Sequence, residues 1–99
     1  MRILPIPPTA KDDPNSIEMV RGWVIDGKLV IALAAWVWRD QPETWGQFLA
    51  EAAGHAADAI SKELGNDRDA VYAKIHERLV KNLADPPRNL VGDFVDRAQ

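Results

Sequence analysis

The chain has 99 residues with 12 Lys and Arg, 15 Asp and Glu, a formal net charge of -3 and no cysteine. This length suits one domain that buries roughly 65% of its unfolded surface, and it excludes a deep cleft between domains. The charge lacks the basic excess of a nucleic-acid-binding surface, and the missing cysteines exclude disulfides, a thiolate nucleophile and cysteine-ligated zinc.

Residues 1–15 contain four of the seven prolines and the polar run Lys11-Asp12-Asp13. Proline fixes φ and removes a backbone donor, so this segment is predicted to be an extended arm, followed by a single α+β domain over residues 16–99. The start of the chain lacks the uninterrupted apolar stretch of a signal peptide, and the apolar run 29–38 is about half a membrane helix in length. We therefore expect a cytoplasmic protein without membrane association.

Residues 16–38 are predicted to form one β-hairpin, because Asp26-Gly27 stands between two strand-forming runs. With a two-residue turn Ile25 lies opposite Lys28, and the alternation of side chains then defines two faces, both apolar. The first face carries Val20, Gly22, Val24, Leu29, Ile31, Leu33, Ala35 and Val37. The second carries Ile17, Met19, Arg21, Trp23, Ile25, Val30, Ala32, Ala34, Trp36 and Trp38. A two-stranded ribbon of this kind needs cover from elsewhere.

Two helices are predicted after the hairpin. The first begins near Asp40 as N-cap and runs to about Leu64, with an apolar stripe at spacings of three and four and Gly65 as its left-handed end. The second is capped by Asn66 or Asp67 and ends before Pro86-Pro87. The tail from Arg88 is too apolar for a solvated terminus, so we expect it to pack against another surface of the protein. No helix or strand is predicted in it. The fold class is α+β, with both helices packed on one face of the sheet.

The pattern Glu18-x-x-Arg21-x-Trp23, Asp26-Gly27-x-Leu29, Trp36, Trp45-Gly46-x-x-Leu49 and His55-Ala56 resembles a family of small uncharacterised bacterial proteins, a domain of unknown function. The likeness spans roughly residues 18–60. It implies no activity, cofactor or partner.

Two groups of side chains could bind a ligand. Arg21, Trp23, Trp36 and Trp38 would share one hairpin face and could form an aromatic slot for a planar or anionic small molecule. Packing or a dimer contact is the more common use of such aromatics. Glu51, His55 and Asp58 lie at i, i+4 and i+7 on one helix face, where an oxygen-nitrogen-oxygen set suits a divalent ion, but a fourth ligand is not evident and a solvated surface is more common.

No serine stands in a nucleophile elbow or triad setting, and no glycine-rich phosphate loop is present. We therefore expect no catalytic role, no cofactor and no bound metal. The function predicted is that of a small interaction or adaptor module, homodimeric through the hairpin and open to a protein partner. Its expected interface comprises Trp23, Ala34, Trp36 and Trp38. The alternative is a small-ligand-binding protein that uses the Arg21 and tryptophan face.

Overall fold

The computed structural model describes residues 1–86, 88, 90 and 92–95. The chain divides into two compact units, one of residues 1–37 with 91–99 and one of residues 38–90. We call them the sheet unit and the helical unit. The arm belongs to the same unit as the hairpin, and the expected domain boundary at residue 15 stays a prediction.

The arm is not extended throughout. Residues Pro8–Asp12 form a short helix, α1. Pro8 occupies its first position, where the missing N–H needs no partner and the fixed φ is already helical. The Ser16 hydroxyl donates to the carbonyl oxygens of Ala10 (2.7 Å) and Asp13 (2.8 Å), which holds the end of this turn. The prediction of an arm without helix is therefore wrong for residues 8–12.

The hairpin is confirmed in its turn and its register. Strand β1 is Val20–Ile25 and β2 is Lys28–Ala34. They pair antiparallel with Ile25 opposite Lys28 and Val20 opposite Leu33. Asp26 and Gly27 both have positive φ, 56° and 75°, as a type I′ turn requires.

The hairpin is shorter than predicted. The N–H of Val37 donates to the Ala34 carbonyl at 3.1 Å, so the chain turns where β2 ends, and Trp38 has a φ of 55°, which no strand allows. Trp36 and Trp38 therefore do not continue the β2 face, and the expectation that both lie beside Trp23 on one strand face has no support in the ladder.

A third strand, β3 (Gly92–Val95), lies in the apolar tail and runs parallel to β2, giving the order β1-β2-β3. Gly92 lies opposite Ile31 with a φ of 142°, and a Cβ there would overlap the Ile31 carbonyl. Only glycine fits this position. The predictions for Pro87, Asn89, Val91 and residues 96–99 lie outside the described residues.

The helical unit is a pair of helices, α2 (Glu43–Leu64) and α3 (Arg68–Ala84), which pack on each other. The predicted ends are confirmed at Gly65, whose φ of 70° makes a left-handed C-cap, and at Asp67, which precedes α3. The N-cap prediction is wrong: α2 begins after Pro42 rather than Asp40. Packing of both helices on the sheet stays a prediction.

Candidate functional site

The free edge of β1 carries three residues whose backbone groups point away from β2. The N–H of Ala34 donates to the Met19 carbonyl at 2.9 Å, which makes Met19 and Ala34 a hydrogen-bonded pair. Such pairs alternate along an antiparallel ladder, so the odd-numbered residues of β1 bond to β2. The N–H and C=O groups of Val20, Gly22 and Val24 therefore face the open edge, and among the described residues none bonds to them.

The tip of the hairpin is apolar and uncovered. Val24 is 79% exposed and Leu29, which lies opposite it, is 60% exposed. Ile25 is also exposed, whereas Leu33 at the other end of the ladder is half-buried. Among the described residues, the buried apolar side chains are Ala34, Ala53 and Ala57, and no large side chain is fully buried. Within the described residues, the apolar side chains at the hairpin tip are therefore left exposed to water.

An open groove of about 740 Å³ runs between the arm and β1. Its lining includes residues 2–7 on one side and residues 16–23 on the other. The arm side chains Ile3, Leu4 and Ile6 are all exposed. No backbone hydrogen bond joins residues 2–7 to β1 within the described chain, so the arm stands beside the strand edge without closing it.

Arg21, the charged member of the predicted slot, already binds a carboxylate. Its Nε and Nη2 donate to the two Glu18 oxygens at 2.7 Å each. This bidentate bond lowers the pKa of Glu18 and raises the pKa of Arg21 from their usual values. Glu18 and Arg21 are three residues apart in the sequence, and this spacing of opposite charges could have indicated an ion pair. The sequence analysis did not predict it.

The tryptophans of the predicted slot belong to different elements. Trp23 lies on β1 next to Arg21 and is half-buried, whereas Trp36 follows β2 in a turn. Trp38 belongs to the helical unit, where its ring makes an edge contact with Trp45 at 5.5 Å, and Trp45 makes another with Phe48 at 5.7 Å. Ala34 is only 7% exposed, so little of it is left for a partner.

The candidate metal ligands are not assembled into a site. Glu51, His55 and Asp58 all lie on α2, yet no group of three His, Cys, Asp or Glu within the described part of the chain could hold a metal ion. The Asp58 carboxylate instead accepts a hydrogen bond from Nε of Arg68 at 2.6 Å. That bond lowers the pKa of Asp58 and raises the pKa of Arg68. It ties the start of α3 back to α2.

Gly54 lies beside this ion pair. A Cβ at Gly54 would lie 3.9 Å from Nη2 of Arg68, an ordinary van der Waals distance, so the guanidinium lies near the α2 backbone there. Arg68 also lies over the Tyr72 ring, 5.3 Å from its centroid, and Tyr72 stacks on His76 at 6.3 Å. The sequence analysis did not identify Arg68 as the group that links the helices.

None of the helices in residues 1–86 combines the length and the apolar character needed to cross a bilayer. The fold and the surface together define a small α+β domain with an open strand edge and an uncovered apolar hairpin.

The chain belongs to the family described as "Domain of unknown function (DUF5076)", whose match covers residues 3–87. This confirms the resemblance noted from the tryptophan pattern and extends it over most of the chain. A solved structure from Rhodopseudomonas palustrus CGA009, described as "a putative pyruvate dehydrogenase", is 31% identical with a TM-score of 0.68. The alignment covers 84% of this chain and 94% of that chain, so the two have similar lengths. No curated protein matches the sequence.

Proposed function

We propose that this protein is a non-catalytic interaction module that forms a homodimer through its hairpin. The observation that carries the proposal is the open β1 edge beside an uncovered apolar hairpin tip. An exposed strand edge of this kind binds another strand readily, and natural proteins usually protect it. On this chain no other strand pairs with this edge within the described residues.

The exposed side chains at the hairpin tip support the same proposal. Val24, Ile25 and Leu29 are 79%, 54% and 60% exposed. Burial of apolar surface is the main favourable term in protein association, so a second hairpin that covers these side chains would be stabilised.

Sedimentation equilibrium over a micromolar concentration range tests the proposal. A dimer mass at micromolar protein is the expected result, because an apolar face of this size should drive association. A folded chain that stays monomeric up to the highest concentration contradicts the proposal.

Small-ligand binding at Arg21 and the tryptophans has less support. Glu18 already occupies the Arg21 guanidinium, and the tryptophans of the slot are distributed over two units. Under that alternative, Arg21→Ala would abolish the quenching of tryptophan fluorescence by an anionic aromatic probe and leave the sedimentation unchanged.

The similar structure is described as a putative pyruvate dehydrogenase. Our proposal for this chain rests on its open strand edge and exposed hairpin tip rather than on that name. The cytoplasm remains our proposed compartment, on the cysteine-free composition alone.

A further inference from the structure

We propose that two copies of this chain pair β1 with β1, antiparallel, with the two-fold axis at Gly22. This inference rests on the proposed homodimer and specifies its geometry. A two-fold axis makes each surface patch meet its own copy, so a single strand edge is enough to build the interface. The occupant of the open edge is therefore a second copy of the chain.

The ladder determines the register. Only the even-numbered residues of β1 offer backbone groups to the open edge, so each must meet an even-numbered residue of the partner strand. An axis at Gly22 makes three hydrogen-bonded pairs within Val20–Ile25: one between the two glycines and two between Val20 and Val24. An axis at Trp23 would make only two such pairs. The Gly22 axis satisfies every outward-facing group of residues 20, 22 and 24.

The same register is complementary in its side chains. It places Arg21 directly opposite the Trp23 position of the second copy, on the same face of the joined sheet. A guanidinium over an indole is the most favourable cation–π pair, and Glu18 already restricts the Arg21 side chain. On the other face Val20 meets Val24, which is 79% exposed in the single chain, so the most exposed valine of the hairpin gains a β-branched neighbour.

Gly22 suits the centre of this contact. A Cβ added there would meet only Leu29 Cδ1 at 3.9 Å, so no neighbour inside the chain requires glycine at this position. A Cβ at this position would point off the face of the joined sheet rather than between the two backbones, so glycine is compatible with the axis and is not required by it.

The arm then has a defined place. In the dimer, β1 of the second copy pairs along one edge with β1 of the first copy and along the other edge with its own β2. It therefore has no free edge to which the arm could bind. The arm can therefore contact only a face of that hairpin, where Ile3, Leu4 and Ile6 would lose their exposure to water. The groove beside β1 is the space that this hairpin enters.

Single-cysteine variants test the register, since the natural chain has no cysteine. In the proposed dimer the Cα atoms of the two Gly22 residues lie about 5.5 Å apart, within the range of a disulfide. Gly22→Cys is expected to form an intermolecular disulfide under mild oxidation at micromolar protein. Val24→Cys is the matched control, because its two copies are offset by four residues, about 13 Å along the strand.

A proline substitution at Gly22 gives an independent test. Gly22→Pro removes the central outward-facing N–H and leaves the hydrogen bonds of β1 to β2 intact, whereas Gly22→Ala keeps that N–H. We expect Gly22→Pro to raise the dimer dissociation constant at least about tenfold, because two central hydrogen bonds are lost. Gly22→Ala should change it little, and the circular dichroism of both variants should report an intact fold.

The outcomes separate the two proposals. A dimer in which Gly22→Cys cross-links and Val24→Cys does not supports the Gly22 axis. A dimer in which Val24→Cys cross-links, or in which Gly22→Cys does not, overturns the axis and leaves the homodimer standing. A wild-type chain that sediments as a monomer overturns the homodimer itself.

Discussion

At the scale of single residues, the glycines differ in what they do for the fold. Gly65 adopts a left-handed conformation at the end of α2, whereas Gly46 lies inside α2, and neither has an atom within 4 Å of a would-be Cβ. Substitution at either position therefore reports the backbone conformation alone.

Gly65→Ala should lower the free energy of unfolding by about 1 kcal/mol, since a Cβ is disfavoured at positive φ. Gly46→Ala should raise it by about 0.5 kcal/mol, because alanine restricts the unfolded chain and favours the helix. Urea denaturation measures both. Equal signs for the two variants would contradict the assigned conformations.

Gly92 has a different role, because space rather than conformation alone requires it. Gly92→Ala should detach β3 from β2, since the new methyl group would overlap the Ile31 carbonyl. Amide hydrogen exchange measures this: the protection of the β2 amides that bond to β3 should fall. The β1–β2 turn at Asp26-Gly27 serves as the internal control and should keep its protection. Unchanged exchange in β2 would mean that β3 does not pair as described.

At the scale of elements, the ion pair of Arg68 with Asp58 joins the two helices. Because the folded pKa of Asp58 is lowered, its contribution to stability is present above the ordinary value of 3.8 and is lost as the pH falls through the lower folded value. The hydrogen bond from Arg68 is the main cause of this lowering.

Asp58→Asn should therefore reduce the stability at neutral pH and weaken its decline on acidification. Thermal unfolding from pH 7 down to pH 3 measures the effect. Glu51→Gln removes the same charge from the same helix and is the control, which should keep the decline of the wild type. A profile for Asp58→Asn that follows the wild type would rule out the ion pair as a stabilising contact.

The sequence predicted the elements well wherever the signal was local. The Asp26-Gly27 turn, the register of Ile25 opposite Lys28 and the helix end at Gly65 all follow from the conformations these residues allow. The extent of β2 was overestimated, because apolar alternation continues through Trp38 while the chain turns after Ala34. Alternation alone does not indicate where a strand ends.

At the scale of the whole molecule, the arm is the part whose role depends most on a second chain. If it lies on the partner's hairpin, then replacing residues 2–7 by a Gly-Ser segment of the same length should raise the dimer dissociation constant severalfold, because apolar contact is lost. The register of the β1 strands should stay the same. Sedimentation equilibrium measures the first effect, and the cross-link of Gly22→Cys checks the second. An unchanged dissociation constant would show that the arm does not contact the partner.

The candidate site was only partly predictable, for a physical reason. The apolar character of the hairpin and the position of Arg21 beside Trp23 are properties of strand alternation, and they could be derived. The occupation of Arg21 by Glu18, the separation of Trp38 from the hairpin and the use of Asp58 by Arg68 depend on which side chains come together in space. These contacts engage Arg21, Trp38 and Asp58 with partners that the sequence analysis did not indicate, and the ligand slot itself stays a prediction.

The amino-acid sequence by itself determined the α+β class, the hairpin turn and its register, and the two helices with the boundary between them at Gly65 and Asp67, because backbone preferences and short-range periodicity act within a few residues. Only the tertiary structure decided that the tail supplies β3 and that the outer edge of β1 stays open. These features depend on contacts between residues far apart in the chain: β2 and β3, which are joined in the chain through both helices, meet only when Gly92 allows a close approach to Ile31.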